Sequence, residues 1–107
     1  MVQPTRITPA EAAAAPLEDG RLSTRWFEGE GIEIRHYAPK GEDRQRPHDR
    51  DEFYFVISGS GIYARGGERV PFGPGDILFA AAGEMHRFVE FSDDFATWVL
   101  FYGPQKT

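Results

Sequence analysis

The sequence predicts an all-β domain, a sandwich or closed barrel, behind one short N-terminal helix. Three observations lead there. From about Arg25 onward, aromatic and β-branched runs are broken by Gly and Pro turns roughly every 8–12 residues. Ile32, Ile34 and His36 alternate with Glu33, Arg35 and Tyr37, the period of a strand. Twelve Gly and eight Pro in 107 residues, with 14% aromatic side chains, suit many short strands joined by tight turns.

Taken in order, Thr8-Pro9-Ala10-Glu11 reads as a helix start. Thr8 suits the N-cap, Pro9 the first helical position, and Glu11 completes a capping box. The helix continues through Ala12–Ala15, stops at Pro16, and belongs to an N-terminal segment over 1–23 that packs on a barrel domain over 24–107. The strand at Ile32 is broken by the polar stretch Pro39–Pro47. Glu52–Ser58 is aromatic and β-branched, and Gly59-Ser60-Gly61 is a turn. Ile62–Ala64 and Arg69–Phe72 flank Gly66-Gly67, a hairpin signal. After the turn Gly73–Asp76 come three more strands, Ile77–Ala80, Arg87–Phe91 and Phe95–Tyr102, with Asp93-Asp94 read as a hairpin turn.

Composition narrows the function. A net charge of −5 argues against a general nucleic-acid binder, which would carry a basic patch. No stretch approaches the roughly 18 apolar residues needed to cross a bilayer. The N-terminus lacks a secretory pattern, so a cytoplasmic location is expected. With no Cys, disulfides and thiolate sites are excluded.

The chemistry-bearing residues fall at turns. His48 and Glu52 lie four residues apart. On a straight strand that is roughly 13 Å, too far for one ion. A tight turn at Asp49-Arg50-Asp51 resolves this: His48 ends one strand and Glu52 opens its antiparallel neighbour. Side chains then sit ~5–6 Å apart. His86, at the start of a later strand, supplies a third group. Two imidazoles and a carboxylate make a working site for a divalent metal, with bonds of about 2.0–2.2 Å. Glu52 shares inward parity with Tyr54 and Val56, and a carboxylate inside an apolar barrel needs a partner. A metal is one partner and Arg46 is the rival. Arg46 has three readings: an ion pair with Glu52, a fork for a substrate carboxylate or phosphate, or a solvated surface group. Gln45, by strand alternation, points away from His48.

These residues resemble the motifs of the cupin superfamily, small β-barrels of jelly-roll type. The first family motif runs Gly, His-x-His, Glu, Gly. Gly41 lies near the first position, His48 matches the second His, Glu52 the Glu and Gly59 the closing Gly. The second motif runs Gly, Pro-x-Gly-x-x-His, Asn. Gly75, Gly83 and His86 match, while Ala81 replaces the Pro and Glu90 the Asn. Arg46 stands where the first His belongs, and a guanidinium cannot ligate a metal. The resemblance covers roughly Ile32 to Phe101. It implies a single jelly-roll barrel and a divalent metal (Fe, Mn, Ni or Zn) on His48, Glu52 and His86. It also implies a small-molecule substrate oriented by Arg46 and Tyr54, and dioxygenase, isomerase or lyase chemistry.

Other residues read more plainly. His36, on a face with Ile32 and Ile34, reads as a core residue. Tyr54, Phe79, Phe88, Trp98 and Phe101 read as core or pocket wall. Phe53, Phe55 and Ile57 form an apolar stripe opposite in parity to Glu52, which the N-terminal segment or a second subunit must cover. Single-domain members of the family that it resembles commonly pair, so the resemblance implies a homodimer. Three functions stay open: a metal-dependent enzyme, a non-catalytic ligand-binding module, and a structural dimer with a vestigial pocket.

Overall fold

The structure is a computed structural model that describes residues 4–103; residues 1–3 and 104–107, the ends of the two expected segments, lie outside it. Helix α1 (Pro9–Ala14) begins as its sequence dictates. Thr8 is the N-cap, its hydroxyl accepts from the Glu11 N–H, and Pro9 opens the first turn. Ala12 is the buried residue of this helix.

Eight strands follow: β1 (Ser23–Gly29), β2 (Ile32–Tyr37), β3 (Asp51–Ser58), β4 (Gly61–Arg65), β5 (Glu68–Phe72), β6 (Ile77–Ala80), β7 (His86–Phe91) and β8 (Ala96–Tyr102). They form a five-stranded sheet ordered β1-β2-β8-β3-β6 and a three-stranded sheet ordered β5-β4-β7, with every pair antiparallel. Strand β1 was not legible as a separate element, because Arg25 and Glu28 interrupt its apolar pattern and a bulge at Trp26 breaks its register. The Gly29-Glu30-Gly31 turn was the available signal: Gly31 takes φ +76° and closes a two-residue hairpin onto β2.

Tyr54 and Val56 of β3 face Val99 and Thr97 of β8, and across the barrel meet Tyr63, Phe72 and Phe88 of the smaller sheet. Phe95 closes the cluster, in ring contact with Phe72, Phe88 and Phe91. Each buried aromatic contributes about 1.5–3 kcal/mol through apolar area removed from water.

Register overturns three expectations. Glu33, Arg35 and Tyr37 share pairs with Phe101, Val99 and Thr97, so the inward face of β2 is the polar one. Ile32, Ile34 and His36 lie on the outer face of the large sheet, where His36 is buried edge-on against Trp98. Phe79 and Trp98 belong to that outer face too, paired with Phe53 and Phe55, whereas Tyr54, Phe88 and Phe101 are interior. The turn around Asp93-Asp94 is not a hairpin, since β7 and β8 lie in different sheets.

That turn stacks on another sheet-switching turn, Ser58–Ser60. Ser60 N–H donates to the Ser92 hydroxyl at 3.0 Å, and Ser92 N–H to the Ser60 carbonyl at 2.9 Å. The approach leaves no room for a side chain at Gly59, where a Cβ would lie 2.5 Å from Phe95 Cα and φ is +83°. This end of the barrel is closed by backbone. The opposite end carries Glu52 and His86 at the starts of their strands and Phe101 near the end of its own.

Candidate metal centre

Glu52 enters the barrel as the first inward side chain of β3, and its side chain is 1% exposed. His86, the first residue of β7, is equally buried. His48 arrives differently from expectation. Residues 38–50 form no strand, so His48 does not end one. It is held instead by its carbonyl, which accepts from Gly83 N–H at 2.7 Å, and by its ring, edge-on to Phe101 at 4.8 Å. The expected tight turn survives as bends at Asp49 and Arg50.

One ligand atom from each of His48, Glu52 and His86 lies within 4.8 Å of the others. His86 Nε2 is 2.6 Å from Glu52 Oε1, and His48 Nδ1 is 2.9 Å from Glu52 Oε2. The Tyr54 hydroxyl hydrogen-bonds to Glu52 Oε1 and sits 3.0 Å from His86 Nε2 and 2.8 Å from Gln45 Oε1.

Proton counting tests whether a cation fits. His86 Nδ1 faces the Glu84 carbonyl at 2.8 Å, and a carbonyl only accepts, so Nδ1 carries hydrogen. In the neutral ring Nε2 is then a lone pair aimed at the Glu52 carboxylate, two acceptors in contact. Either a second proton on His86 or a metal cation relieves this. At His48 the contact with Glu52 is short enough for an ion pair but lacks hydrogen-bond geometry, so His48 Nδ1 and Glu52 Oε2 are both buried without a hydrogen-bond partner. Buried polar atoms are rarely left so. These residues fit a divalent ion, and the Glu84 carbonyl is the outer partner that a ligating imidazole needs.

The same contacts set the charge states of the metal-free cluster. Burial pushes the Glu52 carboxyl up, but contacts with His48, His86 and Tyr54 outweigh it and bring the group to about 2. Burial lowers the His86 imidazole, yet the Glu52 carboxylate and the Glu84 carbonyl outweigh it and raise it above its usual value. Burial, reinforced by the Glu52 charge, holds Tyr54 far above the usual phenol range, so it remains a donor.

The other expected residues divide. Arg46 is exposed, lines a cavity beside His48, and is not a partner of Glu52, whose contacts are His48, His86 and Tyr54. Tyr54 is wholly buried behind Glu52. Gln45 corrects the alternation argument: it points inward, since residues 38–50 do not alternate as a strand does. Its amide donates to Asp43, fixing its carbonyl toward Tyr54.

Asp43 was missed. It is 3% exposed and accepts from Tyr37 hydroxyl, Gln45 N–H, the Gln45 amide and Phe88 N–H, tying the 38–50 loop to β2 and β7. Nothing in a polar run between two prolines marks one carboxylate as buried. Arg50 was passed over as a turn residue for the same reason. The cavity, about 560 Å³, is walled by the inward side of β1 and β2 and by the 45–50 segment. Of the three ligand candidates His48 reaches its surface, while Glu52 and His86 lie behind.

Comparison with known proteins agrees with this geometry. The family described as the cupin domain matches residues 33–102. An uncharacterized protein of Streptomyces coelicolor is 36% identical over 64 residues, 60% of this chain and 61% of that protein. The matched region therefore spans less than two thirds of that relative's length. Among solved structures, KdgF from a Halomonas species superposes with a TM-score of 0.70 at 20% identity, covering 92% of this chain and 94% of its own. A cupin 2 conserved barrel domain protein from Salinispora arenicola gives 0.68 at 20% identity, covering 94% and 91%. At such identities the structures speak for the fold alone. With the family matched over residues 33–102 of the chain and the His and Glu residues of both motifs gathered at one barrel mouth, the chain belongs to the cupin family.

Proposed function

We propose that this barrel holds one divalent metal ion (Fe, Mn, Ni or Zn) on His48, Glu52 and His86 and acts as a metal-dependent enzyme on a small organic molecule. Dioxygenation is the foremost reaction class, with isomerase or lyase chemistry on the same site. The observation that carries the reading is the pair of buried atoms, His48 Nδ1 and Glu52 Oε2, without hydrogen-bond partners, beside an imidazole lone pair directed at the same carboxylate. When bound, the metal would supply Lewis acidity or O₂ activation, since two imidazoles and one carboxylate leave coordination positions open. The chain's own groups do the rest. Substrate enters by the cavity on the His48 side. Arg46 meets it at the rim, and the Tyr54 hydroxyl holds Glu52 and orients whatever binds at the cluster.

Metal per chain in the protein as purified tests this. About one equivalent, lost in His86→Ala, supports the three-residue site. No metal after anaerobic loading with Fe(II) sinks it.

One observation favours a second reading, a metal-free ligand-binding or structural barrel. Arg46 replaces a motif His, and a protonated His86 paired with Glu52 Oε1 balances the charge of the buried carboxylate. In either case we propose a homodimer through the outer face of the large sheet. Ile77 is 61% exposed there, opposite Phe55 in the register, and Ile32 and Tyr102 form a second exposed pair farther along the same face.

A further inference from the structure

Arg50 is a weakly paired cation of the cavity wall. It sits in the bend between His48 and Glu52, and its side chain is 25% exposed. Its Nε is buried without a hydrogen-bond partner. It reaches Glu33, but only at 3.6 Å. Glu33 is committed elsewhere: its other oxygen takes Arg35 at 2.7 Å. Arg35 in turn spends Nε and Nη2 on Ser23, at 2.6 and 3.0 Å. Arg46, on the same wall, is exposed and makes no ion pair among the described residues. Four guanidinium groups, Arg21, Arg35, Arg46 and Arg50, line the cavity against three carboxylates, Glu28, Glu33 and Asp49. The wall is thus locally cationic in a chain of net charge −5.

We propose that the cavity binds a small organic monocarboxylate, its carboxylate on the forks of Arg50 and Arg46 and its apolar body against Val99 and Phe101. A guanidinium edge presents two parallel N–H donors matched to a carboxylate, and on this wall Arg46 makes no ion pair among the described residues while Arg50 has only the 3.6 Å contact with Glu33. The surplus of one positive charge suits a monoanion better than a phosphate dianion. Both apolar side chains line the same cavity, whose roughly 560 Å³ matches a small ligand. This names the substrate class of the proposed metal enzyme and rests on that reading only for which end of the molecule reacts. The carboxylate site itself needs no metal.

The test uses the full chain, as purified and after chelation, with benzoate as probe, benzamide as its neutral isostere and inorganic phosphate as the dianion. Calorimetry gives affinities, and the arginine Nε–H resonances report the contact. Benzoate should shift the Arg50 signal saturably in the metal-free protein. Arg50→Gln and Arg46→Gln should each weaken benzoate by roughly tenfold or more, the worth of a charged hydrogen bond. Arg46, exposed and outside any ion pair, serves where Arg50→Gln fails to fold. Three results overturn the proposal: no saturable benzoate binding, benzamide binding within about twofold of benzoate, or phosphate binding more tightly than benzoate. A protein that takes no metal yet binds benzoate would refute the enzyme reading and leave the carboxylate site standing.

Discussion

Replacing Glu52 by Gln keeps the shape of the side chain and removes its charge. In the metal-free protein the magnitude follows from proton linkage. The carboxyl stands at about 2 in the fold against a usual 4.5. Each unit is worth about 1.36 kcal/mol, so the charged form contributes about 3 kcal/mol. Because the folded value is depressed, that contribution is complete above the usual 4.5 and disappears as pH falls toward 2. By pH 3, about 2 kcal/mol of it is gone. His86 acts in the opposite sense. Its folded value is raised, so its contribution is complete below the usual 6.5 and is lost as pH rises through the folded value. The pair therefore stabilises most between about pH 4.5 and 6.5. With the side chain 1% exposed, solvent screening takes little from this figure. The assay is urea denaturation of chelated wild type and Glu52→Gln from pH 3 to 8. Wild type should exceed the variant by about 3 kcal/mol near pH 5.5, with the gap narrowing at both ends. A gap below about 1 kcal/mol, or one that ignores pH, would refute the linked Glu52–His86 pair.

Three further perturbations reach other parts of the molecule. Gly61→Ala places a Cβ 1.9 Å from the Glu90 carbonyl oxygen. It should cost at least about 3 kcal/mol and lower the melting temperature by about 12 °C or more. Gly67→Ala, with nothing within 4 Å of its Cβ, should melt with wild type, and equal melting of both variants would contradict the packing of β4 on β7. Asp43→Ala strands the buried Tyr37 hydroxyl and Phe88 N–H, at about 1–3 kcal/mol each. It should also loosen the segment carrying His48, read as faster amide exchange over residues 44–50; unchanged exchange there would show that Asp43 does not anchor the loop. Ile77→Lys, on the outer sheet face, should convert a sedimenting dimer to monomer with little loss of fold, whereas a wild type already monomeric at high concentration would dispose of the dimer.

The expected strands from β2 to β8 coincide with those observed because each is marked locally. Period-two alternation, aromatic and β-branched runs, and Gly or Pro at the ends are properties of neighbouring residues. The helix start at Thr8-Pro9-Ala10-Glu11 is local in the same way. Glu52 was placed inward by parity with Tyr54 and Val56, and the motif spacing singled out His48 and His86 before any geometry. What failed was reasoning that needed a partner strand. Whether Ile32 and Ile34 face the barrel interior depends on how β2 registers with β8, which alternation within β2 does not contain. Gln45 was misdirected because parity holds only in a strand, and its segment is pinned by Asp43 and by the His48 carbonyl instead. Sequence alone determined the helix start, seven of the eight strands, the resemblance to the family and the three residues that the fold brings together. Tertiary structure alone decided that Asp43 is buried beneath the loop that carries His48, that an arginine in the turn lines the cavity, and that Ile32, Ile34 and Trp98 lie on the outer face. Each of those rests on contacts between residues far apart in the chain, where side-chain identity says nothing until the sheets are packed.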